Sequence, residues 1–180
     1  MINHHHKSCI LPPQQGGLRR TDTNQQLAAM EKELGVFHRD NTTSQRLAST
    51  PGIGLITATA LASLTPDAAT FKNGRHFAAW LGITPRQDST GGKTRMLGIS
   101  KAGDGYLRRL LVIGATSLLR SLQGKTTRLA LWATQLLVRR PKKVVIVALA
   151  NKLARIAWVI MAKGQFYRAG TIAAQEGAVA

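Results

Sequence analysis

Acidic residues are scarce in this chain: 8 Asp and Glu stand among 180 residues, against 25 Lys and Arg, for a formal net charge of +17. The eight carboxylates are scattered at positions 22, 31, 33, 40, 67, 88, 104 and 176. Two-metal phosphoryl chemistry needs several carboxylates converging on ions a few ångströms apart, so no metal ligands are assigned and no cofactor is expected in this chain. Cysteine is scarcer still. A lone Cys9 forms no internal disulfide and no metal pair, which points to a reducing cytoplasm. Long apolar runs are also missing. The N-terminus has no signal-like core, and the most hydrophobic stretch, Val144 to Met161, is interrupted by Asn151, Lys152 and Arg155. A soluble protein with no membrane partner is expected.

What the chain has is positive charge. Between Asp104 and Glu176 there is no acid, while thirteen Lys and Arg occur. Such a field attracts a polyanion through counterion release, strongly, with salt sensitivity and little dependence on sequence. Nucleic acid is the expected partner, at the nucleoid. A basic ribosomal-type structural protein and an anionic membrane surface are the other readings of charge alone. With 44% hydrophobic residues, the chain is long enough to bury one core and carry an appended arm.

Residues 1–21 include His4, His5 and His6, Pro12-Pro13 and Gly16-Gly17 without periodicity, and are expected to form a disordered arm. Adjacent histidines on a terminus are not taken as a metal site. Over 22–46, Leu27, Met30 and Leu34 at helical spacing predict a linker or coiled-coil helix suited to oligomer formation. Residues 47–168 are expected to form one domain, and 169–180 a disordered tail. Within the domain, Leu47 to Gly54 followed by Ile56, Ala60, Leu61 and Leu64 predicts a helix, a glycine turn and a helix. Residues 75–81 read as a short helix, and the segments flanking Thr90-Gly91-Gly92 as a β-hairpin. Asp104 predicts the N-cap of a helix with a stripe at Leu107, Leu110, Leu111, Gly114 and Leu118. Two more helices follow, carrying Leu129, Trp132 and Leu136, then Ile146, Leu149, Ala150, Leu153, Ala157 and Ile160. The expected fold class is mainly α: a helical domain with a helix-hairpin-helix element and one short β-hairpin, preceded by a linker helix.

The chemistry concentrates between Pro85 and Leu111. Ser89-Thr90-Gly91-Gly92-Lys93 is followed by Ser100-Lys101-Ala102-Gly103-Asp104 and by Arg108-Arg109. Hydroxyls, flexible backbone and cations are the parts needed to hold a phosphodiester and attack it. Gly52, Gly54, Gly91 and Gly92 let backbone N–H groups approach a phosphate, and Lys93, Arg95, Lys101, Arg108 and Arg109 are candidate phosphate binders. Ser89 and Ser100 are both candidate nucleophiles, because each lies beside a glycine or a cation. The plain alternative for either serine is a turn or cap hydroxyl, and for each cation a solvated surface.

Thr50-Pro51-Gly52-Ile53-Gly54, Leu81-Gly82-Ile83-Thr84-Pro85, Ser89-Thr90-Gly91-Gly92-Lys93 and Ile99-Ser100-Lys101-Ala102-Gly103-Asp104, in this order and spacing, resemble the C-terminal domain of the insertion-sequence 110/116/902 transposases, shared by Piv-type DNA invertases. The run from Arg139 to Tyr167 resembles the family's tail, and the likeness covers about Thr23 to Arg168. It implies DNA strand cleavage and rejoining in transposition through a phosphoseryl link, with Ser89 as nucleophile and Ser100 as the alternative. It also implies a guide RNA, and divalent metal, Mg, bound by a RuvC-like acidic half. That half has no counterpart here, which gives the expectation of a truncated transposase inactive alone, acting as a homo-oligomer or with the full-length enzyme. The rival expectation is a catalytically inactive basic module that only binds nucleic acid.

Overall fold

The structure is a computed structural model describing residues 16–90 and 93–168, apart from the side chains of 16–22 and 89–96. Its elements in chain order are α1 (Gly16–Asp40), α2 (Thr42–Ala48), α3 (Leu55–Leu64), α4 (Gly74–Trp80), β1 (Pro85–Thr90), β2 (Lys93–Ile99), α5 (Gly105–Ser121), α6 (Arg128–Arg139) and α7 (Lys142–Lys163). The fold is mainly α with one two-stranded antiparallel sheet, as the patterning predicts. The chain divides after Glu33 into two units. The described part of the first unit, from Gly16 to Glu33, is the first part of α1, with Leu27 and Met30 exposed. The sequence reading carries this helix from 22 to 46. It instead starts at Gly16 and ends at Asp40, where the Asn41 side chain accepts from the Ser44 N–H at 2.9 Å and opens α2 as a new helix.

In the second unit, from Leu34 onward, α7 is the central helix. Its length and composition would suit a membrane span, but Val145, Leu149, Ala150, Leu153, Ala154, Ile156, Ala157 and Ile160 are all buried, and α7 packs against α2, α4, α5 and α6. It closes at Gly164, whose left-handed φ of 61° allows the chain to turn away. Against it α5 buries Leu107, Leu111, Ala115, Leu118 and Leu119. Two members of the expected stripe, Leu110 and Gly114, are only half-buried. On α6 the same shift occurs: Ala130 and Ala133 are fully covered, while Leu129, Trp132 and Leu136 are half-buried around them.

The stripe expected on α3 is corrected more strongly. Ile56 and Leu64 are 48% and 50% exposed, whereas Thr57, Ala58, Thr59 and Leu61 are buried. Because α3 is apolar nearly all round, periodicity does not fix its facing side. Thr59 tolerates burial because its hydroxyl donates to the carbonyls of Leu55 and Ile56 at 2.9 and 3.1 Å. A cluster of Phe71, Phe77 and Trp80 caps one end of the core, with Phe77 and Trp80 stacked at 5.7 Å. The Trp158 indole N–H donates to the Ala68 carbonyl at 3.1 Å and ties α7 to this cluster.

Candidate nucleic-acid interface

The hairpin fixes the backbone of the serine-bearing segment. Gln87 faces Met96, Asp88 faces Arg95, Ser89 faces Thr94 and Thr90 faces Lys93. Ser89 therefore sits near the far end of β1, one pair from the turn. Gly91 and Gly92 lie outside the described residues, as do the side chains of Ser89, Lys93 and Arg95.

At the foot of the hairpin the chain is locked to residues 82–84. The Ser100 N–H donates to Thr84 O at 2.9 Å and the Lys101 N–H to Gly82 O at 3.1 Å. Lys101 has a left-handed φ of 57°, unusual for a residue with a Cβ, and its side chain is exposed. The Ser100 hydroxyl is buried and makes no hydrogen bond. Gly103 is required by contact: an added Cβ would lie 1.7 Å from the Trp80 carbonyl oxygen. Asp104 caps α5 as expected, accepting from Tyr106 and Leu107 N–H groups at 2.7 and 2.9 Å, an arrangement that stabilises by about 1 kcal/mol. Of the paired arginines, Arg109 is exposed. Arg108 is half-buried, and its Nη1 donates to the carbonyls of Leu81 and Gly103 at 3.0 and 3.1 Å, clamping the hairpin's foot to α5.

The glycines of the α2–α3 turn divide in the same way. Gly52, with φ of 89°, crosses α5 at Gly114. A Cβ on Gly114 would stand 2.0 Å from Gly52 O, and one on Gly52 would stand 3.1 Å from Gly114 O. Gly52 thus faces protein. Gly54 faces outward, is exposed, and would have nothing within 4 Å of an added Cβ. It is the N-cap of α3 and contributes no side-chain cap bond, so the first amides of that helix are an anion-attracting end.

Beside the hairpin's foot the structure opens an interface that the sequence reading did not assemble. A groove of about 940 Å³ runs between residues 83–86 and 97–101 on one side and Trp132 with α7 on the other. Among the described residues five cations line it, namely Arg86, Lys101, Lys143, Lys152 and Arg155, and no acid does. The Lys152 ammonium sits 5.1 Å from the centre of the Trp132 ring. Of these residues only Lys101 was a sequence candidate. The missed signal is the second face of α7: Lys143, Val147, Asn151, Lys152 and Arg155 recur at helical spacing away from its buried stripe.

Comparison with known proteins bears on the same segments. Residues 44–130 match the model of the transposase IS116/IS110/IS902 family, which takes in the α2–α3 turn, the hairpin and α5. A protein of Sinorhizobium fredii named as a transposase, y4pF/y4sB, is 49% identical over 144 residues, covering 79% of this chain and 37% of its own length. A protein of Pseudomonas aeruginosa named as a family 20 transposase is 47% identical over 144 residues, covering 80% and 43%. The transposase for insertion sequence element IS1328 of Yersinia enterocolitica is 46% identical over 143 residues, covering 79% and 43%. The chain spans about two fifths of the length of these curated relatives.

Proposed function

This chain belongs, through residues 44–130, to the IS116/IS110/IS902 family of transposases, and from that premise we propose that it is the part of a transposase that grips DNA phosphates and supplies a serine nucleophile. The observation that carries the reading is the family match lying over the Ser89 hairpin in a chain of net charge +17. In the reaction, Ser89 Oγ bonds to the scissile phosphorus as the bond to the departing sugar oxygen breaks. A later DNA hydroxyl displaces the serine, so phosphodiester energy is conserved through the covalent stage.

Two observations favour Ser89 over Ser100. The Ser100 hydroxyl is buried, so no phosphate reaches it without local opening. Ser89 lies near the end of the hairpin, away from the foot that Arg108 and the Ser100 and Lys101 amides lock in place. Lys93, Arg95, Lys101 and Arg109 stabilise charge developing on the phosphoryl oxygens, while Arg108 holds the scaffold. The amides at the start of α3, reached past Gly54, take a second phosphate in the manner of a helix-hairpin-helix. Gly52 belongs to the packing that supports this turn.

Among the described residues no group of three or more His, Cys, Asp or Glu is placed to hold a metal ion. The residues here do not fit the family's metal, and no step is assigned to it. On this reading Mg enters with an acidic RuvC-like half, the guide RNA pairs with donor and target DNA, and the work is done at the nucleoid in the cytoplasm. The exposed Leu27 and Met30 of α1 suit pairing with another transposase chain.

The test is a covalent-adduct assay on nicked DNA bearing the element's ends, with a RuvC-like half and guide RNA supplied. The expected result is an adduct mapped to Ser89, lost in Ser89→Ala and kept in Ser100→Ala. DNA binding with no adduct under the same conditions would instead identify a binding module.

A further inference from the structure

The groove beside the hairpin has a chemistry that a closed duplex does not use. Its floor is apolar, with Ile83, Leu97, Val144 and Val147 contributing, while five cations and no acid stand around it among the described residues. A duplex presents phosphates and sugars and keeps its base faces stacked inside, so an apolar floor gives it little to bind. An unpaired strand offers both an anionic backbone and flat apolar base faces. The groove is open, and its volume of about 940 Å³ suits a few nucleotides of one strand.

Two further features fit this occupant. Lys101 keeps an unfavourable left-handed conformation, fixed by its own N–H on Gly82 O, and this places an exposed cation at the groove's lip. The groove also shares its wall with β1. At about 3.3 Å per residue, Ser89 lies about 10 Å along the strand from Arg86. We propose that the groove holds an unpaired segment of the DNA strand next to the bond to be cut, with the cations on its phosphates and the apolar floor under its bases. The placement beside the scissile bond rests on the reading of Ser89 as nucleophile; the strand preference does not.

The experiment uses the full chain and three fluorescent probes of mixed sequence and equal nucleotide count: unpaired DNA, a hairpin duplex and unpaired RNA. The expected result is unpaired DNA bound about tenfold more tightly than duplex. Arg86→Ala with Lys143→Ala changes two exposed residues and is expected to weaken unpaired DNA about tenfold, with a salt slope reduced by about 1.4. Val144→Ser alters no charge and is expected to weaken unpaired DNA severalfold while leaving duplex binding unchanged. Lys125→Ala with Arg128→Ala, exposed cations outside the groove, serves as the control and is expected to bind the unpaired strand as wild type does. Duplex bound as tightly as the unpaired strand, RNA bound more tightly than DNA, or wild-type affinity in the double variant would each overturn the proposal. A Ser89 adduct formed normally by that double variant would remove the groove and leave the nucleophile standing. A strand preference without any Ser89 adduct would support the groove and remove the nucleophile.

Discussion

The turn at 50–54 and the connection at 100–104, which enters the groove wall at Ser100 and Lys101, both place a glycine in a short span, yet one is closed by backbone contact and the other opens on solvent. In the turn, Gly52 presses against Gly114 of α5, and Ile53 and Thr50 are buried beside it. In the wall, the contact that closes is set just behind, where Gly103 meets the Trp80 carbonyl, and Lys101 stays outside. The difference lies in where the tight approach falls relative to the cations. A glycine used for packing is removed from ligand contact, whereas a glycine packed behind a left-handed lysine holds that lysine out.

Substitutions at the two closures should have the largest effect. Gly103→Ala and Gly114→Ala put a methyl 1.7 and 2.0 Å from a carbonyl oxygen, so the backbones must separate. Each is expected to lose about 3 kcal/mol in urea unfolding. Wild-type stability in either would break the claim that these crossings hold the two connections.

Lys101→Gly sharpens the contrast from the open side. Relieving a non-glycine residue at φ 57° is expected to raise stability by about 1 kcal/mol. The lost cation is expected to weaken DNA binding at low salt, so stability and affinity should move in opposite directions. Parallel changes would mean that Lys101 serves the fold and not a ligand.

A smaller, pH-dependent effect belongs to the closed side. The Tyr167 N–H donates to Ser49 Oγ at 2.9 Å, tying the chain after α7 to the start of the α2–α3 turn. Burial raises the Tyr167 hydroxyl above its ordinary value of 10.0. The neutral phenol is therefore favoured in the folded state. Its stabilisation is fully present below pH 10 and is lost as pH rises through the folded value. Tyr167→Phe is expected to flatten that alkaline decline in denaturant midpoints, and an unchanged decline would assign it to other groups.

The smallest effect is expected at Gly54, where an added methyl meets nothing. Gly54→Ala should stay within about 0.5 kcal/mol of wild type. Its neighbour two residues earlier provides the internal comparison, since Gly52→Ala is strained by φ as well as by contact.

Much of this architecture is legible in the sequence because it depends on short-range signals. Asp104 before an apolar run and the two short segments flanking Thr90-Gly91-Gly92 are signals that act within a few residues. The buried faces of α3 and α6 were not legible for a different reason. A nearly all-apolar helix such as α3 has no preferred side until its neighbours exist, and on α6 the burial of Ala130 and Ala133 ahead of the larger Leu129, Trp132 and Leu136 is set by the elements packed on it, α7 among them. The candidate site divides along the same line. Local chemistry pointed to Ser89, Ser100 and the nearby cations, but the burial of the Ser100 hydroxyl and the carbonyl partners of Arg108 come from segments up to 27 residues away. The groove joins residue 86 to residue 155 across four elements, β1, β2, α6 and α7, so no window of sequence contains it.

The most direct test of where nucleic acid lies is photocrosslinking of DNA carrying photoreactive bases, with the attached peptides identified by mass spectrometry. Crosslinks are expected within 85–101 and 142–155, on the hairpin and the groove face of α7. Crosslinks confined to other basic surface, such as 72–76 or 120–128, would contradict it.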